Sequence, residues 1–244
     1  MPNLRKRSYQ AELLDADEIP QELLFQNLKE LDVVNHYLGG HNITLTGIKQ
    51  LLPQEIRKNL LKNSQKTLHI VDIGCGSGDT LIEIAKWAAK QKLTVKLTGV
   101  DMKADVILYA TAHCKKYSNI TFIEADYRDT TKYATEEVDI FVCSLFCHHL
   151  KEPQLIELFK FIDYHSQIGF IINDLQRHAL AYYGIRYLTK LFNGSSLVQN
   201  DAPLSVWRGF FRNELEVLLH EANVKKYTIT WEWAFRYLIV GQKS

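Results

Sequence analysis

The sequence predicts an α/β fold in which a mostly parallel sheet carries helices on both faces. Three observations carry that expectation. From Thr67 onward, strand-like and helix-like patterns alternate with short connections. The first strand-like run ends in a glycine turn, Gly74-Cys75-Gly76-Ser77-Gly78, which opens onto a helical pattern. Two strand-like runs, 226–233 and 235–241, then finish the chain with almost nothing between them. So short a link permits only an antiparallel hairpin, because a parallel pairing needs a crossover of about a dozen residues.

The elements follow from periodicity. Residues 1–64 contain no convincing strand, but Leu23, Leu24, Leu28, Leu31 and Val34 repeat at helical spacing after Pro20. Gly39-Gly40 reads as a stop, and a second helical segment is expected over 46–62, restarted at Pro53. This is a helical N-terminal extension or cap over 1–64, whose apolar stripe needs the α/β domain of 65–244 to cover it. His36, His41 and the Leu38-Gly39-Gly40 corner belong to that expected lid. Strands are expected near 68–73, 94–100, 120–124, 138–144 and 167–173, with helices near 79–91, 103–117, 129–134 and 151–164 between them. Beyond 177–192, which reads as a helix, Asn193-Gly194-Ser195-Ser196 is a break and a helix resumes at 213–222.

At 244 residues the chain has room for one large domain with a modest extension. A net charge of +1 gives no global reason to expect a nucleic-acid partner. The one dense basic run, Arg5-Lys6-Arg7, reads as a solvated tail. Cys75, Cys114, Cys143 and Cys147 show no CxxC spacing, so reduced thiols in a cytoplasmic protein, with no metal, are expected. No stretch approaches the roughly 18 apolar residues of a membrane helix, and no signal core opens the chain. Oligomeric state is not legible.

The chemistry gathers at the ends of the expected strands. GxGxG permits positive φ and lets a ligand lie against bare backbone at a helix N-terminus. Asp72, just before that turn, would repel a pyrophosphate and attract an ammonium group, which favours an amino-acid-like ligand over a dinucleotide. Asp101 ends the second strand, where a carboxylate accepts ribose hydroxyls; the alternative is a helix N-cap. Asp126, in EADYRD, is placed to reach an adenine amino group, the alternative being a turn-forming Asp.

Together these motifs resemble the class I S-adenosylmethionine-dependent methyltransferases. The resemblance covers about 67–175 through VDIGCGSGD, Asp101, EADYRD and VDIFVCSLFCHHL. It implies a Rossmann-like seven-stranded methyltransferase sheet with its last strand antiparallel, and S-adenosylmethionine as cofactor. The implied cofactor-binding set is Asp72, Gly74, Cys75, Gly76, Gly78, Asp101, Met102, Asp126, Tyr127 and Ser144. ELLDADEIP, NLKELDVVNHYLGGH, NDLQRH, DAPLSVWRGF and FRYLIV resemble a narrower bacterial group acting on small molecules, some of it associated with polyketide or phenolic-lipid pathways.

The methyl acceptor is expected at the exits of the fourth and fifth strands. His148 is read as facing the cleft, with His149 supporting the following turn. Asp174 either orients a histidine or hydroxyl, or pairs with Arg177 across one helical turn; His178 is a second supporting group. Tyr182 and Tyr183 are candidates for the same wall. Arg208 is read as pairing with Asp201 or as binding an acceptor carboxylate, and Trp231 and Trp233 as packing residues. A phenol titrates near 10, so a neutral imidazole is a competent partner for its ionisation. The expected catalytic set is therefore His148, Asp174 and His178, for O-methylation of a hydroxylated aromatic or lipid-like acceptor. The rival readings are a noncatalytic S-adenosylmethionine-binding protein and a nicotinamide-dependent oxidoreductase, the latter disfavoured by GxGxG and Asp72.

Overall fold

Three helices precede the sheet: α1 (Gln21–Tyr37), α2 (Gly40–Leu51) and α3 (Gln54–Lys62). Pro20 sits at the N-cap of α1, where a missing N–H costs little. Gly39 takes φ +73° and ends the first helix as expected, but α2 begins at once at Gly40 rather than near Thr46. The glycines and β-branched Ile43, Thr44 and Thr46 lower helix propensity, which hides that restart from periodicity. The structure, a computed structural model, describes residues 2–16, 19–62, 66–133, 137–192 and 194–243. The expected boundary at 64, the end of a helix at 134, and Asp17, Glu18 and Asn193 lie outside the described residues.

The alternating half then unrolls as β1 (Leu68–Ile73), α4 (Asp79–Lys90), β2 (Val95–Asp101), α5 (Ala104–His113), β3 (Ile120–Glu124), α6 (Thr130–Tyr133) and β4 (Val138–Ser144). After a 3-10 turn at Cys147–His149 come α7 (Glu152–His165), β5 (Ser166–Leu175) and α8 (Ala179–Leu191). The chain closes with α9 (Ser196–Arg208), α10 (Arg212–Glu221), β6 (Tyr227–Glu232) and β7 (Arg236–Gln242). Helix α9 was not expected, since the sequence pattern resumes a helix only at 213–222. The helix carries Pro203 in its interior, at the loss of one backbone hydrogen bond.

The sheet order is β3-β2-β1-β4-β5-β7-β6. Strands from β3 to β5 pair in parallel, and β7 is antiparallel to both β5 and β6. Every residue of β1 is buried, as a central strand covered on both faces requires. One face packs Phe141, Phe159, Phe170 and Phe210, with α7 and α10 over them. The other packs Ile70, Leu81, Ile84 and Leu97 together with Ile43, Ile48 and Leu51 of α2. Leu24 and Leu28 of α1 pack in a separate cluster with Val106 of α5, whereas helix α2 shares the core of the sheet. Gly47 makes this possible, since a Cβ there would come within 2.8 Å of Ile171 on β5 and 3.1 Å of Leu238 on β7.

Two arginines tie the N-terminal segment down. Arg7 is no solvated tail residue. Its Nε donates to the Arg208 carbonyl (2.7 Å), its Nη2 donates to the carbonyls of His148 and Leu150 (2.9 Å each), and its guanidinium lies over the Phe210 ring. Arg177 does not pair with Asp174. It is fully buried and donates to the carbonyls of Leu4 and Gly209 and to Glu214. Arg177→Ala would strand these acceptors, so urea unfolding is expected to show a loss of about 3–5 kcal/mol.

Candidate active site

Strand order reverses between β1 and β4, and the crevice at their carboxyl ends is where ligands bind in open α/β sheets. A cavity of about 670 Å³ opens there, within the roughly 300–1,000 Å³ typical of small-molecule sites. Its floor is the glycine turn. Gly74 takes φ +68° and packs so closely under Phe146 that a Cβ would meet that ring. Gly76 takes φ +52° and faces open space, so a ligand can lie against its backbone.

Gly74, Cys75, Gly76, Asp101, Met102, Asp126, Tyr127 and Ser144 line the cavity, whereas Asp72 and Gly78 do not. Gly78 caps α4 at φ +81°, and its missing side chain makes room for Phe122 and Cys114. Asp72 points into the core behind the turn, fully buried, with one carboxylate oxygen lacking a partner. Burial, then the nearby Asp101, pushes its pKa well above the ordinary carboxylate range. Asp72 therefore does not line the cavity in which the ammonium contact was expected, although Ile73, the next residue of the same strand, does.

Asp101 sits at the rim. Its Oδ1 accepts from the Lys103 N–H at 3.1 Å and its Oδ2 from the Gly76 N–H at 3.4 Å, which ties the ends of β1 and β2 together. It is not the N-cap of α5; Lys103 holds that position. Asp126 is held as a turn residue, with Oδ1 accepting from the Arg128 N–H and both oxygens from its guanidinium at 2.6–2.9 Å. Those bonds, foremost among its influences, lower its pKa.

The other wall is built from the β4 and β5 exits. Leu145 adopts φ +54°, a conformation costly for a non-glycine residue, and swings the 3-10 turn across the tip of β5. His148 is buried. Its Nδ1 lies 2.7 Å from Asp174 Oδ1, and its backbone N–H donates to the other Asp174 oxygen at 3.1 Å. Burial alone would raise the pKa of Asp174, but His148 beside it and these hydrogen bonds hold it below the ordinary value. Asp174 lies behind the histidine and does not reach the cavity surface. His178 is elsewhere: it caps α8 by accepting from the Leu180 N–H and stacks on Phe235, 4.7 Å between centroids. Tyr182 and Tyr183 pack against each other away from the cavity, while Trp231 and Trp233 are exposed rather than packed.

Both histidines line the cavity, although His149 was expected to support the following turn. The 3-10 turn sets their centroids 4.3 Å apart. The His149 Nδ1 meets Asp15 at 2.9 Å, and Glu12 faces both Nε2 atoms at 3.8 and 3.9 Å. Glu12 and Asp15 were missed in the sequence because they come from a segment without periodicity. That segment is pinned by Asp201, which accepts from the N–H groups of Leu13 and Leu14, and by Lys103, whose Nζ donates to the carbonyls of Leu14 and Ala16. Arg208 pairs with Asp15 at 2.7 Å rather than with Asp201, and it donates to the carbonyls of His148 and His149. Ligand atoms of Glu12, His148 and His149 lie within 4.8 Å of one another, close enough for a metal ion. The Arg208 guanidinium, 3.8 Å from Glu12, already sets a cation beside that carboxylate.

The sheet order, the glycine corner and the acid at the tip of β2 define a class I methyltransferase fold. The family described as a methyltransferase domain matches residues 64–185, half of the chain, and the protein belongs to that family. Among solved structures it is similar to a putative O-methyltransferase from Nostoc punctiforme (15% identity, TM-score 0.60, covering 90% of this chain and 60% of that one). It is also similar to the plantazolicin methyltransferase BpumL in complex with S-adenosylhomocysteine (16%, TM-score 0.61, 92% and 95%). A third is human N-acetylserotonin methyltransferase in complex with S-adenosylmethionine (19%, TM-score 0.60, 97% and 64%). The chain thus spans under two thirds of the Nostoc and human proteins. No curated protein matches it in sequence.

The charge at the strap makes a test. Burial raises the pKa of Glu12 from 4.5 to about 7, against the opposing pull of His149 and Arg208. An acid whose folded pKa is raised favours folding below its unfolded pKa and loses that advantage as pH climbs through the folded one. Glu12→Gln is therefore expected to match the native protein near pH 5 and exceed it at pH 8.5 by about 3 kcal/mol, read from denaturant curves at both pH values.

Proposed function

We propose that the protein is an S-adenosylmethionine-dependent methyltransferase that O-methylates a small hydroxylated aromatic or lipid-like acceptor. The observation that carries this reading is the Asp174–His148 pair, whose imidazole stands in the cavity wall with its Nδ1 committed to a buried carboxylate. The residues of the floor fit the cofactor. Gly76 leaves its backbone bare to the cavity, Asp101 offers a carboxylate for vicinal hydroxyls, and Asp32 and Asp79 add negative charge suited to an ammonium group. Asp32 and Asp79 lie close enough that burial and then their mutual repulsion raise the pKa of Asp32.

When bound, S-adenosylmethionine supplies a methyl group on a positively charged sulfur, and S-adenosylhomocysteine is the product. The chain's own part is alignment, exclusion of water and one proton. Alignment is capable of supplying about 7–11 kcal/mol of a barrier. Leu180, Ile185, Leu188, Trp233 and Phe235 give the cavity an apolar side that suits an aromatic or lipid-like acceptor. Asp174 fixes the orientation of the His148 ring, which leaves Nε2 to receive the acceptor's proton, and Glu12 at 3.8 Å favours the charged imidazolium that results.

Incubation with methyl-labelled S-adenosylmethionine and fractionated cell extract is expected to label a small apolar product. On that acceptor, His148→Ala should lower turnover by about 10²–10⁴-fold, and Asp174→Asn should also slow it, with S-adenosylhomocysteine binding retained in both. Undiminished turnover by His148→Ala would remove the base from the scheme. Calorimetric binding of NADH with none of S-adenosylhomocysteine would instead return the protein to the oxidoreductase reading.

A further inference from the structure

Four arginines enter the interior, and three of them are held by several donated hydrogen bonds, with only Nη1 of Arg7 lacking a partner among those three. Arg7, Arg177 and Arg208 each donate to several carbonyls, and the last two also meet a carboxylate. Arg236, the first residue of β7, is different. It is 2% exposed, it lines the cavity, and its Nε and Nη1 are buried with no hydrogen-bond partner. Among the described residues its guanidinium has no ion pair. The acid acting on it is Asp174, which is already occupied by His148 and the Leu175 N–H. Burial lowers the pKa of Arg236 to about 10, so it remains a cation at neutral pH. An uncompensated buried charge is strongly unfavourable unless something supplies the opposite charge.

The surroundings are shaped for that partner. A Cβ on Gly40 would fall 2.8 Å from Arg236 Nη1 and on top of Asn35 Oδ1, so only glycine lets the α1–α2 corner close beside the guanidinium. Gly40 also begins α2, whose N-terminal dipole adds to the positive field. Asn173 donates to the Gly40 carbonyl at 2.9 Å and keeps that corner in place.

We propose that Arg236, beside the N-terminus of α2, is the anchor of a carboxylate-binding subsite in this cavity. The flat guanidinium fork matches a carboxylate in bidentate fashion. This inference rests on the reading that the cavity binds S-adenosylmethionine and an acceptor, and the carboxylate belongs either to the cofactor's amino-acid moiety or to an acidic acceptor.

The test is calorimetry on the native protein, Arg236→Met and Arg236→Lys. The three probes are S-adenosylhomocysteine, 5′-methylthioadenosine, which lacks the amino-acid moiety, and benzoate added to protein saturated with methylthioadenosine. Arg236→Met is expected to melt no lower than the native protein and to bind methylthioadenosine unchanged. It should lose at least tenfold in affinity for one carboxylate probe, with partial recovery in Arg236→Lys. A loss confined to S-adenosylhomocysteine assigns the cofactor's carboxylate, and a loss confined to benzoate assigns the acceptor's. Unchanged affinity for both carboxylates overturns the proposal, as does a lowered melting temperature with parallel loss of all three probes. Failure of the native protein to bind any nucleoside probe would sink the cofactor reading alone, leaving benzoate, added without methylthioadenosine, to decide Arg236.

Discussion

The arrangement depends on one topological constraint. β1 and β4 lie side by side in parallel, but the chain leaves β1 into α4 on one face of the sheet and leaves β4 towards α7 on the other. Between the two departures no connection can cover the strand tips, so a crevice must open at their carboxyl ends. The glycine turn, Asp101, Ser144 and the histidine pair gather there as a consequence of that order. The antiparallel insertion of β7 next to β5 brings Arg236 and the strained Ala234-Phe235 turn to the same edge.

What closes the crevice is polar. The N-terminal segment is held over it by Arg7, Arg177, Arg208, Lys103 and Asp201, largely through backbone carbonyls and N–H groups rather than apolar burial. Such a strap brings carboxylates with it. Glu12 and Asp15 meet His149, Glu12 faces His148, and Asp174 meets His148 from behind. The site is thus a chain of alternating acids and bases, while Arg236 stands apart with no ion pair among the described residues. This contrast separates groups that hold the fold from a group left for a ligand.

Legibility in the sequence followed the range of the interactions involved. The strands, the glycine corner and the closing hairpin were readable, because alternation, glycine spacing and link length are local properties. Helix α9 and the restart at Gly40 were not, because packing against neighbours overrode Pro203 and the glycine pair. Asp72 was read as facing the ligand and faces the core instead: its place in the chain adjoins the turn, but the pleat sends its side chain inward. Asp174 was open to two partners, Arg177 by helical spacing or a histidine, and the 3-10 turn set by Leu145 brings it to His148. His178, three residues from the strand end, is drawn away as a helix cap and a stacking partner for Phe235.

The sequence by itself determined the succession of strands, the bare-backbone corner and the acid at the tip of β2, since each is written within a few residues. Only the tertiary structure decided which side chains meet across the cavity. Glu12 and His148 are more than a hundred residues apart, as are Gly40 and Arg236. No local pattern encodes such pairs. They come together because the reversal of strand order, the antiparallel β7 and the polar strap converge on one crevice.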